Sequence, residues 1–386
     1  MRDAVIVEAV RTPVGKRNGG LSGVHAGDLS SHVLTALAER SGIDPVLVED
    51  VIWGCVSQVG EQTFDIARTA LLGAGWPETV PGTTVDRQCG SSQQAISFAA
   101  ASVIAGHYDV AVAGGVESMS RVPMGASMAG GAHGMPFSEG FKTRYNGVFP
   151  NQGIGAEMIA ERWGLTRTEL DEYSLGSHAK AAAAQDEGRF AAQIAAVTAP
   201  DGTKVETDEG VRRGSTLEKL AQLQPAFKKD GTGTITAANS SQISDGAAGL
   251  LIMTSEKAAE LGLTPIARIH TAVVIGDDPV IMLTAPIPAT ALALKRSGLK
   301  IDDIGVFEVN EAFAPVPLAW LKETGADPAR LNPNGGAIAI GHPLGGSGAR
   351  IMTTLVHHMR ETGTKYGLQT MCEGGGQANA TILELL

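Results

Sequence analysis

Aromatic side chains are scarce in this chain of 386 residues, at 4%, whereas glycine occurs 49 times. A core built on stacked rings is therefore excluded, and the 43% hydrophobic share must pack through small aliphatic residues. Such a composition also argues against a disordered or coiled-coil protein. Positive charge is in deficit: 30 Lys and Arg stand against 41 Asp and Glu, a formal net charge of −11, so general attraction to nucleic acid is not expected. No apolar run approaches the roughly 18 to 20 residues of a membrane span. The opening Met1-Arg2-Asp3-Ala4-Val5-Ile6-Val7-Glu8 meets a carboxylate too early for a secretory signal, which points to a cytoplasmic protein. Only three cysteines occur, widely spaced, with no Cys-x-x-Cys pair. That excludes a disulfide framework and a cysteine metal knuckle, and implies a reducing compartment with no bound metal.

What is present has an α/β rhythm. Residues 4–10 read as a buried strand, and Asp28 as the cap of an amphipathic helix closed by Gly42. Residues 48–56 return as a strand bearing Cys55, whose expected role is packing. Then comes strand 82–85, a tight turn at Cys89, helix 92–105 and strand 109–113, a βαβ pattern of a sheet layered with helices. Periodicity fades between about 121 and 238, apart from a helix over 168–188 with Thr168 as its cap and a strand at 203–206. This section reads as an insertion folded over the main body. After Ser255 the rhythm resumes with strand 304–309, a helix to about 324, helix 349–362 and strand 366–372. The last unit echoes the Cys89 unit, which implies two similar halves related by a pseudo-two-fold.

Cys89 opens a helix, where free N–H groups and the positive dipole end favour a thiolate. A cysteine nucleophile needs a base and an oxyanion site. His342 is a candidate base: Gly341 precedes it, Pro343 stiffens it and glycines follow. Asn310, at a strand end before Glu311, is placed to hold a water or ligand oxygen. Cys372 precedes Glu373-Gly374-Gly375-Gly376, so it can act as a second acid/base beside a backbone that substrate can approach closely. The basic run Arg212, Arg213, Lys219, Lys228 and Lys229 is either a solvated face or a local anion site.

Taken together, Gln88-Cys89-Gly90-Ser91-Ser92, Gly114-Gly115-Val116-Glu117-Ser118-Met119-Ser120, Asn310-Glu311-Ala312-Phe313, Gly341-His342-Pro343 and Cys372-Glu373-Gly374 resemble the thiolase family. Arg11-Thr12-Pro13-Val14-Gly15-Lys16 and Ser244-Asp245-Gly246-Ala247-Ala248 fit as well, so the similarity runs from about residue 3 to the C-terminus. The resemblance implies a five-layered α/β/α/β/α fold. Its parts would be an N-terminal half (1–120 and 238–264), an inserted loop domain (121–237) and a C-terminal half (265–386). It implies an acyl-cysteine on Cys89, His342 as the proton acceptor and Cys372 as the second acid/base. Asn310 would hold a water, and the Gly374 N–H would join that of Cys89 in an oxyanion site. Coenzyme A and acyl-CoA would be substrates, with no permanently bound cofactor. Arg212 and Lys219 would touch the nucleotide phosphates and Ser241 the pantetheine arm, and the protein would be a homodimer or homotetramer.

Two departures stand out. Asp86 lies where many relatives have asparagine. Asn151-Gln152 precedes Gly153-Ile154-Gly155-Ala156-Glu157 where acetoacetyl-CoA-specific members carry His-Met. The second departure, with Asn239-Ser240-Ser241-Gln242-Ile243-Ser244, points to a 3-ketoacyl-CoA thiolase for longer or bulkier chains, in fatty-acid or steroid side-chain β-oxidation. The alternatives are a short-chain acetyl-CoA acetyltransferase and a non-catalytic binder of CoA esters.

Overall fold

Residues 2–386 are described by a computed structural model of the chain. Its first strand, β1 (Val5–Arg11), is buried except at Glu8, and its alternate residues feed two different cores. Val5 and Val7 join one apolar cluster, Ala4 and Ile6 another, as the two-residue period of a strand requires. Helix α1 (Ala26–Ser41) follows, capped by His25 rather than Asp28, which lies in the first turn; Gly42 closes it in the left-handed conformation. Next come β2 (Asp50–Gly54), α2 (Ile66–Gly73), β3 (Gly82–Val85), α3 (Ser91–Ala105) and β4 (Val110–Ser118). Strand β4 runs five residues past the expected end: Gly114 and Gly115 pair onward with a neighbouring strand, where Trp53 leaves no room for a side chain at Gly114 and the Gly345 carbonyl none at Gly115.

A long segment then carries α4 (Gln152–Arg162) and α5 (Arg167–Asp186). Helix α5 is capped by Thr166, not Thr168: the Thr166 hydroxyl and the Glu169 carboxylate form a reciprocal capping box. The remaining elements are β5 (Ser244–Met253), β6 (Ala267–Gly276), α6 (Pro286–Ser297), β7 (Val306–Val309), α7 (Pro315–Thr324), α8 (Ser347–Thr362), β8 (Tyr366–Glu373) and β9 (Gln377–Leu385).

The strands form one large mixed sheet in the order β7-β8-β9-β6-β1-β5-β4-β2-β3. The order repeats itself. Strands β1-β5-β4-β2 pair antiparallel, antiparallel and parallel, and so do β6-β9-β8-β7. Among the described residues, the two runs pair at Val5–Arg268 and Ile6–Ala267. Helices α1 and α2 pack on β1, β2 and β5, and α6 packs on β6 and β9. Helices α3 and α8 lie against each other and contribute Ala95, Ile96 and Ala99, and Met352, Leu355 and Val356, to the cluster that also holds Ile6 and Leu250.

The 119–243 segment is fastened to this body by charge. Arg11, wholly buried, makes a bidentate pair with Asp208 at 2.7 and 2.9 Å, donates to Gln193 Oε1 at 2.7 Å and lies over the Phe190 ring. No helix among the described residues is long and apolar enough to cross a membrane.

Candidate active site

The turn between β3 and α3 presents Cys89. Gln88 adopts φ +47°, a left-handed conformation unusual for a side-chain-bearing residue, and the Asp86 carboxylate holds the turn by accepting from Gln88 N at 2.7 Å. Asp86 therefore does positional work, as an asparagine oxygen could. The Cys89 thiol is 4% exposed and meets its own backbone N–H and the side chain of Gln152, the first residue of α4. Asn151 caps that helix by accepting from Ile154 N, and Gly153 allows Phe227 to lie against it.

The expectation of a ready thiolate is not met. Burial, and then the nearby Glu373 carboxylate, push the Cys89 thiol up to about 12. The N–H groups expected to stabilise it are already engaged: Gly90 N donates to Arg87 O, and Ser91 N to Gln88 O, both at 3.0 Å. Cys372, at the end of β8, is also pushed well above the usual thiol value by burial and then by Cys89 itself. The charge of a Cys89 thiolate therefore reaches Cys372, although the two residues lie far apart in the sequence. Gly374 follows within reach of Gln88, where an added Cβ would lie 2.9 Å from Gln88 Oε1. The turn beyond needs glycine: Gly375 and Gly376 have φ of +85° and +74°, and a Cβ on Gly376 would press on the Asp277 and Asp278 carbonyls.

His342 and Asn310 come together from the other side. The His342 Nε2 lies 3.5 Å from Asn310 Nδ2, and its Nδ1 lies 2.6 Å from Ser347 Oγ. Ser347 gives its only hydroxyl proton to Pro343 O, so Nδ1 carries the imidazole proton and the Nε2 lone pair faces the Asn310 amide, from which it accepts at 3.5 Å. Burial, and then Arg350, push His342 down to about 3, so it is a neutral base. Its backbone N–H donates to Ser244 Oγ at 3.0 Å. The two reactive loops are pinned to each other. Ala349 N donates to Ser92 Oγ, and Glu117 accepts from Gly345 N, Val56 N and Ser57 N. Glu311 accepts from Tyr173, Ser177, Asn332 and Ile338 N, which fixes the strand end that carries Asn310.

Of the residues expected at the nucleotide, Arg212 is exposed and lines a small cavity with His178, Ser215, Leu220, Ala238 and Gln242. Lys219 is not among that cavity's lining residues and turns its Nζ toward Gly214 O. Ser241 is tied through its N–H to Ala312 O at 2.9 Å. Gln152, singled out in the sequence as a departure near the acyl pocket, meets Cys89, whereas Ser347 was missed as the neighbour of His342. A hydroxyl five residues beyond His342 was the available signal.

The chain matches two family descriptions: thiolase, N-terminal domain, over residues 4–256, and thiolase, C-terminal domain, over residues 263–385. It is 51% identical to a steroid 3-ketoacyl-CoA thiolase of Mycobacterium tuberculosis, across all of this chain and 95% of that protein. It is also 47% and 46% identical to 3-ketoacyl-CoA thiolases of Idiomarina loihiensis and Erwinia tasmaniensis, each match covering all of both proteins.

Proposed function

Because the chain belongs to the thiolase family, we infer that it is a 3-ketoacyl-CoA thiolase, an acyltransferase of β-oxidation. It cleaves a 3-ketoacyl-CoA with CoA to acetyl-CoA and a shortened acyl-CoA. The observation that carries this reading is a buried Cys372 thiol that feels the charge of the buried Cys89, with the neutral His342 held at Asn310.

In this reading Cys89 Sγ attacks the 3-keto carbon while its proton passes to His342 Nε2. The bond between C2 and C3 breaks, and Cys372 gives its proton to C2 of the acetyl-CoA enolate. The Cys372 thiolate then takes the proton of an incoming CoA thiol, which attacks the acyl-Cys89 thioester. Cys89 leaves as a thiol, reprotonated by His342. A neutral thiol and a neutral imidazole suit this sequence, since the proton moves as attack occurs and no resting ion pair need be desolvated. Backbone N–H groups of Cys89 and Gly374 serve one oxyanion. His342 and a water held by Asn310 serve the enolate oxygen. Removing one such donor typically costs about 10² to 10³ in rate.

The fold is read as five layers, α/β/α/β/α, from two similar halves (1–120 with 238–264, and 265–386), with 121–237 as an inserted loop domain. The repeated strand order and the α3–α8 contact support that division. Coenzyme A lies along the insert, with Arg212 at its phosphates; Lys219 and Ser241 are weaker candidates for phosphate and pantetheine contacts. The protein works in the cytoplasm as a homodimer or homotetramer. The Gln152 amide in place of a methionine wall, together with the steroid thiolase likeness, favours longer or bulkier acyl groups, including steroid side chains.

CoA-dependent thiolysis of acetoacetyl-CoA and of a bulky 3-ketoacyl-CoA tests this. Higher kcat/KM for the bulky substrate is expected. Preference for acetoacetyl-CoA would make the protein a short-chain acetyltransferase.

A further inference from the structure

Directly beneath the nucleophile turn lies a carboxyl group that the reaction above does not use. Glu373 is 0% exposed, and neither of its carboxyl oxygens has a hydrogen-bond partner. It stands at the end of β8, next to Cys372, and its carboxyl is pressed onto Gly90: a Cβ there would overlap Oε1. The same point lies 3.0 Å from Asn379 Nδ2, so both side chains converge under the Cys89–Gly90 peptide. Asn379 Nδ2 is already used, donating to Gly90 O at 3.2 Å, and its Oδ1 is unpartnered.

Both Glu373 oxygens and Asn379 Oδ1 are acceptors with no partner within hydrogen-bond distance, and the nearby donors, Arg87 Nε and the Asn379 backbone N–H, do not close a bond to them. A proton on Glu373 converts one acceptor into a donor and removes a buried charge, each change favourable where water is excluded. Charged and titratable groups face it from two elements. Arg87 and Cys89 come from the turn before α3, and Cys372 from its own strand. Gln377 and Asn379 of β9 are neutral. Arg87 lowers the carboxyl through its charge but makes no ion pair with it: its Nη1 donates to Gln377 Oε1 at 2.9 Å and its Nε has no partner.

We propose that Glu373 is a positioning residue held as the neutral acid beneath the nucleophile turn, and that its proton keeps the Cys89 thiol reactive. Ionised, it would set a full negative charge against the Cys89 thiolate and against the enolate chemistry of Cys372. Burial opposes ionisation and Arg87 favours it; the balance pushes Glu373 up to about 8, within reach of ordinary assay conditions. The two groups then titrate as a coupled pair, the thiolate becoming harder to form as the carboxylate appears.

The inference rests on Cys89 being the reactive thiol, so its test reads that thiol without thiolase turnover. Iodoacetamide alkylation of the Cys89 peptide, followed by mass spectrometry from pH 6 to 10, gives a rate proportional to the thiolate fraction. In the native protein the rate is expected to climb about tenfold per pH unit and then to flatten near pH 8. Glu373→Gln, which mimics the neutral acid, should remove the flattening and converge with the native curve below pH 7. Above pH 9 it should alkylate about tenfold faster than the native protein, the ratio given by a one-unit difference in thiol pKa. A native curve with no inflection overturns the proposal whether or not the variant folds. An inflection that persists in Glu373→Gln overturns it too, because another group would then be its source. Failure of Cys89 to alkylate at any pH would instead count against the nucleophile assignment itself.

Discussion

For single side chains, the sequence suggested candidates for the proposed chemistry more readily than it suggested their ionisation. The ordered blocks around Cys89, Asn310, His342 and Cys372 mark, in the sequence alone, the positions proposed to react. Burial is a property of the assembled fold, and it reversed the thiolate expected for Cys89 from its place at a helix start. Ser347 shows the same limit. Its hydroxyl fixes which His342 nitrogen carries the proton, yet this depends on Pro343 O accepting its own. The two thiols should separate on mutation. Cys372→Ala is expected to keep acyl transfer from simple thioesters to Cys89 while losing enolate formation, read as deuterium exchange at C2 of acetyl-CoA. Equal loss of both would contradict the division of labour.

Elements position those side chains through a few buried ionic and polar anchors. The strands and helices of the body were readable from their apolar periods, because each faces a core on at least one side. Of the helices α4 and α5 in the 119–243 segment, only α5 was legible, read from the sequence as 168–188: α4 was missed, and both owe their placement to distant partners such as Glu311 and Phe313, which no local period encodes. Arg11 is the clearest such partner. Breaking a buried pair by removing one member leaves an uncompensated charge, worth about 3 to 5 kcal/mol. Asp208→Ala should therefore destabilise the fold by about that much, seen as a lower urea midpoint; Arg11→Met combined with it should recover part of the loss. A midpoint unchanged in Asp208→Ala would mean that the segment is held by other contacts.

Across the whole molecule, the repeated strand order brings the two reactive turns together. The sequence disclosed the repeat as an echo of layout, but not that the two strand runs would join through the β1–β6 edge. Buried titratable groups also give the molecule a characteristic pH response. Burial lowers His178 and His357 to about 4, and His342 to about 3, from 6.5. The unfolded chain binds more protons there, so their contribution to stability is complete above 6.5 and is lost on acidification toward 4. Burial raises Glu308 and Glu373 from 4.5 to about 8, so their contribution is complete below 4.5 and is lost as pH rises toward 8. Thermal unfolding scanned against pH should therefore give its highest midpoint near about pH 6, with a fall on both sides. A midpoint still rising from pH 6 to 8 would contradict the burial of the two glutamates as neutral acids.

The central claim is that Cys89 carries the acyl group during cleavage next to a thioester. The most direct test is the mass of the Cys89 peptide after brief incubation with a 3-ketoacyl-CoA and no added CoA, quenched in acid. The account predicts a mass gain equal to the substrate acyl chain shortened by one acetyl unit, absent in Cys89→Ala and discharged when CoA is added. An unmodified Cys89 peptide alongside released acetyl-CoA would contradict it, because cleavage would then proceed through some other group.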